Sequence, residues 1–173
     1  MYESLEYDSP VLYDQSETIT DQFTIHPQRK KALIIADERS LNESFEKFFD
    51  ELIENKIEHE TIVFNHEVDL HQLNTLLYRQ TMGTQLYIAS RWDEAVTIFR
   101  EAVAAGFTED EIQVFIDGKK RRYVYCMKCY TLNEVGNEKT TTCFNCGITL
   151  EVGPFFSKVR KGYIGYLIPP EQT

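Results

Sequence analysis

Four cysteines carry the chemistry of this 173-residue chain. They stand as two C-x2-C pairs, Cys126-Met-Lys-Cys129 and Cys143-Phe-Asn-Cys146, with thirteen residues between the pairs. Each pair can wrap two thiolates around one ion in a tight knuckle. Two knuckles supply the four sulfurs that a tetrahedral metal takes. Gly147 follows the second pair, where a knuckle often needs a left-handed backbone. Tyr130 holds the matching place after the first pair, so that knuckle reads as less ideal. The paired spacing, with no cysteine left over, favours a metal over two disulfides or four unrelated core thiols. Zinc is the default ion for a four-thiolate structural site, with Cys126, Cys129, Cys143 and Cys146 as ligands. Iron in a rubredoxin-like site uses similar knuckles and would make the chain an electron carrier. A two-iron cluster also takes four thiolates, but symmetrical knuckles favour a single ion.

The elements that must position these cysteines form a small β module. Tyr123-Val124-Tyr125 leads into the first knuckle as a strand and Thr140–Thr142 into the second. Ile148–Val152 leads out, Gly153-Pro154 reads as a turn, and Tyr163–Ile168 as a last alternating strand. A module this small has little core of its own, and metal would supply folding energy.

Before it lies a pattern of alternating strands and helices. Strands are read at Lys31–Asp37, Ile57–Phe64, Gln85–Ala89 and Ile112–Ile116. Helices are read after Ser40 or Asn42, after Asp69, and over Asp93–Ala105, which Gly106 stops. The order β-α-β-α-β-α-β implies an α/β domain with a short parallel sheet of about four strands flanked by helices, followed by the zinc-ribbon or rubredoxin-like module. The boundaries read as an N-terminal arm over 1–29, the α/β domain over 30–118, the four-cysteine ribbon over 119–168 and a tail over 169–173. The arm is too apolar for a simple solvated tail; it reads as a cover over its own domain or as an arm for a partner subunit, with disorder as the remaining alternative.

Charge and composition narrow the partners. The net charge is −10. Residues 119–168 hold nine basic and three acidic residues, a balance of +6, whereas residues 1–118 hold nine basic and 24 acidic ones, a balance of −15. Part of the basic excess offsets a tetrathiolate–zinc centre, itself formally −2. A nucleic-acid-binding ribbon is the alternative reading, and the acidic body speaks against it. No apolar run approaches a membrane span, and the acidic N-terminus is not a secretory signal, so the expected setting is a reducing cytoplasm.

Other chemistry is sparse. The loop after the first strand, Asp37-Glu38-Arg39-Ser40, has no glycine and two carboxylates, which disfavours a dinucleotide or ATP there. Arg91 and Trp92, after the third strand, could grip a planar ligand or a partner, but read first as the cap and first turn of a helix. His59, His66 and His71, with Glu67 and Asp69 nearby, could form a second metal site, but they fit no helical i, i+4 pair and read first as surface histidines. No catalytic triad, Cys/His pair or paired carboxylate stands out.

Two resemblances follow from these residues. Gln85–Gly118 is similar to the last βαβ unit of the pyridine-nucleotide domain in ferredoxin-reductase-like oxygenase reductases. Ser90-Arg91-Trp92 stands where those enzymes usually have Cys-Gly-Pro. The C-terminal pattern Cys126-x2-Cys129 … Thr142-Cys143-x2-Cys146-Gly147 … Leu150-x-Val152 … Phe156-Ser157-Lys158 … Gly162-Tyr163-x-Gly165 resembles the A subunit of bacterial dimethylamine monooxygenase and its relatives. In that family a His commonly stands where this chain has Phe155, and an Arg where it has Lys158. The resemblance implies an accessory, non-catalytic subunit of a multicomponent monooxygenase acting on a secondary methylamine. FMN, haem or iron–sulfur groups would then sit on partner subunits. Zinc would rigidify a basic, aromatic docking surface of Lys128, Phe144, Phe155, Phe156 and Arg160.

Overall fold

The computed structural model describes residues 9–169. They divide into two compact units. One contains residues 15–120 and the other combines residues 9–14 with 121–169, so the chain passes between the units twice.

The first unit is an α/β sheet of four parallel strands in the order β2-β1-β3-β4. The strands are β1 (Lys31–Asp37), β2 (Glu58–Phe64), β3 (Thr84–Ser90) and β4 (Ile112–Ile116). Between them run α1 (Glu43–Glu54), α2 (Leu70–Tyr78) and α3 (Trp92–Ala104). β1 and β3 are central and buried along nearly their whole length, as expected for a parallel sheet covered on both faces. Asn42 caps α1 by accepting the Phe45 N–H at 3.0 Å. Asp69 caps α2 by accepting from His71 and Gln72. These caps satisfy amides that a helix start leaves without partners.

One face of the sheet, with Ala32, Ile34, Ala36, Tyr87 and Ala89, packs against Phe48 and Leu52 of α1 and against Phe23. Alternation sends Leu33, Ile35, Leu86 and Ile88 to the other face, and all four are fully buried. The buried stripes of α2 and α3 supply apolar surface there, and α3 packs on both α2 and β3. Residues upstream of β1 line the β4 edge. Val114 donates to Thr18 O and Thr20 donates to Val114 O, both at 2.8 Å, while Tyr87 hydroxyl donates to Thr24 O at 3.0 Å.

The second unit is a five-stranded sheet in the order β6-β5-β9-β8-β7. Its strands are β5 (Arg122–Cys126), β6 (Leu132–Val135), β7 (Thr140–Thr142), β8 (Thr149–Ser157) and β9 (Gly162–Leu167). β5–β6 and β7–β8 are antiparallel hairpins. β9 lies between them, parallel to β5 and antiparallel to β8. That sandwiching brings the tips of both hairpins to the same end of the sheet. Close approach at this seam requires glycine. A Cβ on Gly165 would lie 2.8 Å from Val124 Cγ1, 2.9 Å from Tyr125 O and 3.1 Å from Leu150 Cδ1.

Two sequence readings change here. Gly153-Pro154 is not a turn: β8 runs through it to Ser157. An irregular register against β9 between Val152 and Phe156 takes the proline, which has no N–H, out of the regular ladder. β6, a four-residue strand inside the stretch between the cysteine pairs, carries too little alternation to be read from sequence.

Residues before the α/β unit complete the ribbon core. Tyr13 stacks on Phe156 with ring centroids 4.2 Å apart and meets Tyr163 edge-on. The buried Tyr163 hydroxyl donates to Asp14 at 2.9 Å; burial first, then the Asp14 carboxylate, pushes its pKa up to about 12. Arg122 lies over the Tyr163 ring at 4.4 Å and pairs with Asp14 at 3.9 Å. Replacing Tyr13 by Ala should therefore cost the ribbon about 2 kcal/mol, while Tyr13→Phe, which keeps the stack, costs less. Denaturant unfolding of both variants checks this. An Ala variant as stable as wild type would show that the segment adds nothing to the unit.

Candidate metal centre

Each cysteine pair sits at the tip of one hairpin. The first knuckle joins β5 to β6 and the second joins β7 to β8. Their backbones repeat one another. Cys126 N–H donates to Thr131 O at 2.9 Å and Tyr130 N–H returns to Cys126 O at 2.8 Å. In the second knuckle, Cys143 N–H donates to Ile148 O at 2.9 Å and Gly147 N–H returns to Cys143 O at 2.8 Å. The residue after each pair is left-handed, with φ of 65° at Tyr130 and 70° at Gly147. Tyr130 therefore makes the same turn as glycine, against the steric cost that left-handed backbone imposes on an L side chain, about 1–2 kcal/mol.

The two tips bring the four sulfurs within 4.8 Å of one another. Cys126 and Cys146 Sγ are 3.8 Å apart, and Cys129 and Cys143 Sγ are 3.5 Å apart. A disulfide would need about 2.0 Å, and all four thiols are free. The edge of a tetrahedron with metal–sulfur bonds of about 2.3 Å is about 3.8 Å, so the separations suit one ion held by all four. A two-iron cluster would push the thiolate pairs further apart. The closest sulfur contacts join the two knuckles. The quartet can hold a metal ion, and among the described residues it is the only group of three or more His, Cys, Asp or Glu that can.

The electrostatics point the same way. A hydrogen bond with the Thr131 side chain, joined by one with the Asn145 amide, draws the Cys129 thiol down to about 5. Burial raises Cys143, but the amide N–H groups of Cys146 and Asn145 and the Asn133 side chain outweigh it and bring that thiol down too. For Cys146 the Ile148 N–H lowers the thiol, and burial together with the three neighbouring sulfurs pushes it up to about 11. The site thus invites negative charge at some sulfurs and resists it where they crowd. Four thiolates this close need a cation among them.

Cys126 and Cys143 are buried beside Val124, Leu150 and Tyr163, so the sulfurs are part of the ribbon core. Of the other residues singled out from sequence, Lys128 and Arg160 are exposed. Arg160 lies over the Tyr125 ring at 5.0 Å. Phe144 and Phe155 are 76% and 73% exposed. Phe156 does not join them: it points into the ribbon core and stacks on Tyr13. Sequence reasoning missed Asn133 and Thr131, which bond sulfurs from β6 and its approach. A polar residue between exposed neighbours in an unrecognised strand gave no signal. His59 bonds Ile57 O through Nδ1 and meets the Phe49 ring edge-on.

In the α/β unit the strand order reverses between β1 and β3, where such folds usually bind ligands. Asp37, at the end of β1, is fully buried there. It accepts from Arg39 N–H and Arg39 Nε, both at 3.0 Å. The Arg39 side chain, opposed by burial, holds the Asp37 carboxyl below its ordinary value. Trp92 is buried in the first turn of α3, and Arg91 stands at its N-cap without a side-chain cap. The loop is thus occupied by its own ion pair.

Residues 123–166 match the family model for the dimethylamine monooxygenase subunit DmmA-like C-terminal domain. The ribbon resembles that family. The DmmA-like span takes in both knuckles and β9 up to Tyr166. A heme-dependent oxidative N-demethylase delta subunit from Ectopseudomonas mendocina (strain ymp) is 32% identical over 102 residues, which is 58% of this chain and 57% of that protein. The match therefore spans little more than half the relative's length. No solved structure matches the chain. Among the described residues, no helix is long and apolar enough to cross a membrane.

The knuckle geometry makes a specific demand at Gly147. Nothing lies within 4 Å of a Cβ built there, so a side chain would meet only the left-handed backbone. Gly147→Ala should destabilise the metal-loaded protein by about 1–2 kcal/mol. Gly147→Asn, which tolerates that backbone, should lose less. Thermal melts of the two variants decide it: equal losses would mean that the left-handed turn is not what the position requires.

Proposed function

We propose that this chain is an accessory, non-catalytic subunit of a multicomponent oxidative N-demethylase acting on a secondary methylamine. In this reading the α/β unit is a reductase-like fold that no longer binds nicotinamide. Cys126, Cys129, Cys143 and Cys146 hold one structural zinc ion, which ties the two hairpin tips together. Zinc supplies charge neutralisation and rigidity there, and the redox groups, FMN, haem or iron–sulfur, belong to partner subunits. Neither a membrane nor nucleic acid is part of the assembly, and a reducing compartment such as the cytoplasm keeps the thiols available.

The observation that carries this reading is the coincidence of the thiolate quartet with the DmmA-like match at residues 123–166. The printed role of the relative, a delta subunit of a heme-dependent oxidative N-demethylase, adds the kind of assembly. The docking surface is the exposed basic and aromatic side of the ribbon: Lys128, Phe144, Phe155 and Arg160, with Phe156 supporting it from beneath. Exposed Phe side chains are costly to leave in water, and on a basic ribbon they suit a partner with an acidic, apolar face.

Co-purification tests the assembly. The untagged chain should co-elute with the redox subunits of an N-demethylase from its own genome, and Phe144→Ser/Phe155→Ser should weaken that association at least tenfold while leaving the metal in place. A chain that stays apart from those subunits and leaves their activity unchanged would contradict the proposal. The same preparation reports the ion: a colourless protein fits zinc, whereas red colour that bleaches on reduction would replace the structural role by a rubredoxin-like electron carrier.

A further inference from the structure

Asn133 is 3% exposed in the middle of β6, flanked by the exposed Leu132 and Glu134. Asparagine is a poor strand residue, and a buried amide is costly unless its groups are bonded. Here they all are. Oδ1 accepts the Phe144 N–H at 2.9 Å, so the orientation of the amide is fixed by a group that can only donate. Nδ2 then faces Thr131 O at 3.2 Å, Val124 O at 3.5 Å and Cys143 Sγ at 3.6 Å.

These partners lie on different hairpins. Val124 and Thr131 belong to the first, Cys143 and Phe144 to the knuckle of the second. β6 and β7 are at opposite edges of the sheet, so no backbone ladder joins β6 to the second knuckle. The side chain of Asn133 makes that connection, and it does so at a sulfur. Four thiolates around one dication leave a centre of charge −2, and an N–H donated to a sulfur drains part of that excess.

We propose that Asn133 is a positioning residue of the metal centre, which holds the second knuckle in register with the first and donates a hydrogen bond to the Cys143 thiolate. The inference rests on the reading of the quartet as a metal site. Outer partners of this kind typically carry about ten- to hundredfold in metal affinity.

The direct test needs no variant. The full-length chain, labelled with an NMR-active nitrogen isotope, is loaded with an NMR-active cadmium isotope, and through-bond coupling is sought between the metal and an Asn133 Nδ2 proton. Coupling across N–H···S–Cd is expected; its absence in a loaded protein overturns the inference and leaves the metal site standing. Asn133→Asp keeps the acceptor for Phe144 and replaces the donor by an anionic oxygen. Chelator competition should show zinc held about tenfold more weakly or worse. The cobalt-loaded variant should show its sulfur-to-metal charge-transfer band at lower energy, a change that loss of packing alone does not produce. Wild-type affinity and an unmoved band would overturn the inference. A wild-type chain that takes up none of these ions overturns the metal reading and this inference with it.

Discussion

Four sulfurs within 4.8 Å of one another are unstable company without a cation. As thiolates they repel, and as thiols they would place four weak hydrogen-bonding groups in a small core. One ion would remove the repulsion and turn the cluster into a cross-link between two hairpin tips that share no direct strand pairing. The rest of the ribbon serves that geometry. β9 separates the hairpins yet points both tips the same way. Gly165 lets the strands close around it. Asn133 donates to the Cys143 sulfur, and Thr131 Oγ1 accepts from the Cys129 thiol. The ribbon's core cluster has five buried residues, two of them cysteines, so a unit this small would gain much of its stability from a metal cross-link.

The α/β unit obeys another constraint. Its central strands are covered on both faces, and side-chain caps from Asn42 and Asp69 start two of its three helices. The crevice where the strand order reverses is closed by charge: Asp37 is consumed by Arg39, and Ser40 bonds Asp117 at 3.4 Å. Opening that loop would leave a buried carboxylate without its partner, which is strongly destabilising.

The parallel sheet was legible in the sequence because its signals are local. Lys31–Asp37 and Ile112–Ile116 are short apolar runs bounded by polar residues, and the structure has strands over the same spans. Asp69 before its helix and Gly106 after Ala105 mark helix ends directly. The cysteine spacing likewise gives a pair of knuckles, and the structure brings all four sulfurs together. What the sequence hid depends on contacts across long separations. Tyr13 and Phe156 are 143 positions apart, so neither an apolar residue in an acidic arm nor one Phe of a Phe-Phe pair announces their stack. The inward turn of Phe156 and outward turn of Phe155 follow from the register of β8, which its bulge shifts. Tyr130 adopts glycine's conformation because the knuckle hydrogen bonds impose it, and no propensity reveals that.

X-ray absorption at the zinc edge, on protein purified without added metal, tests the central claim most directly. The account predicts one zinc per chain with a single shell of four sulfurs at about 2.3 Å. An empty site, a shell containing nitrogen or oxygen ligands, or cysteines joined as disulfides would contradict it.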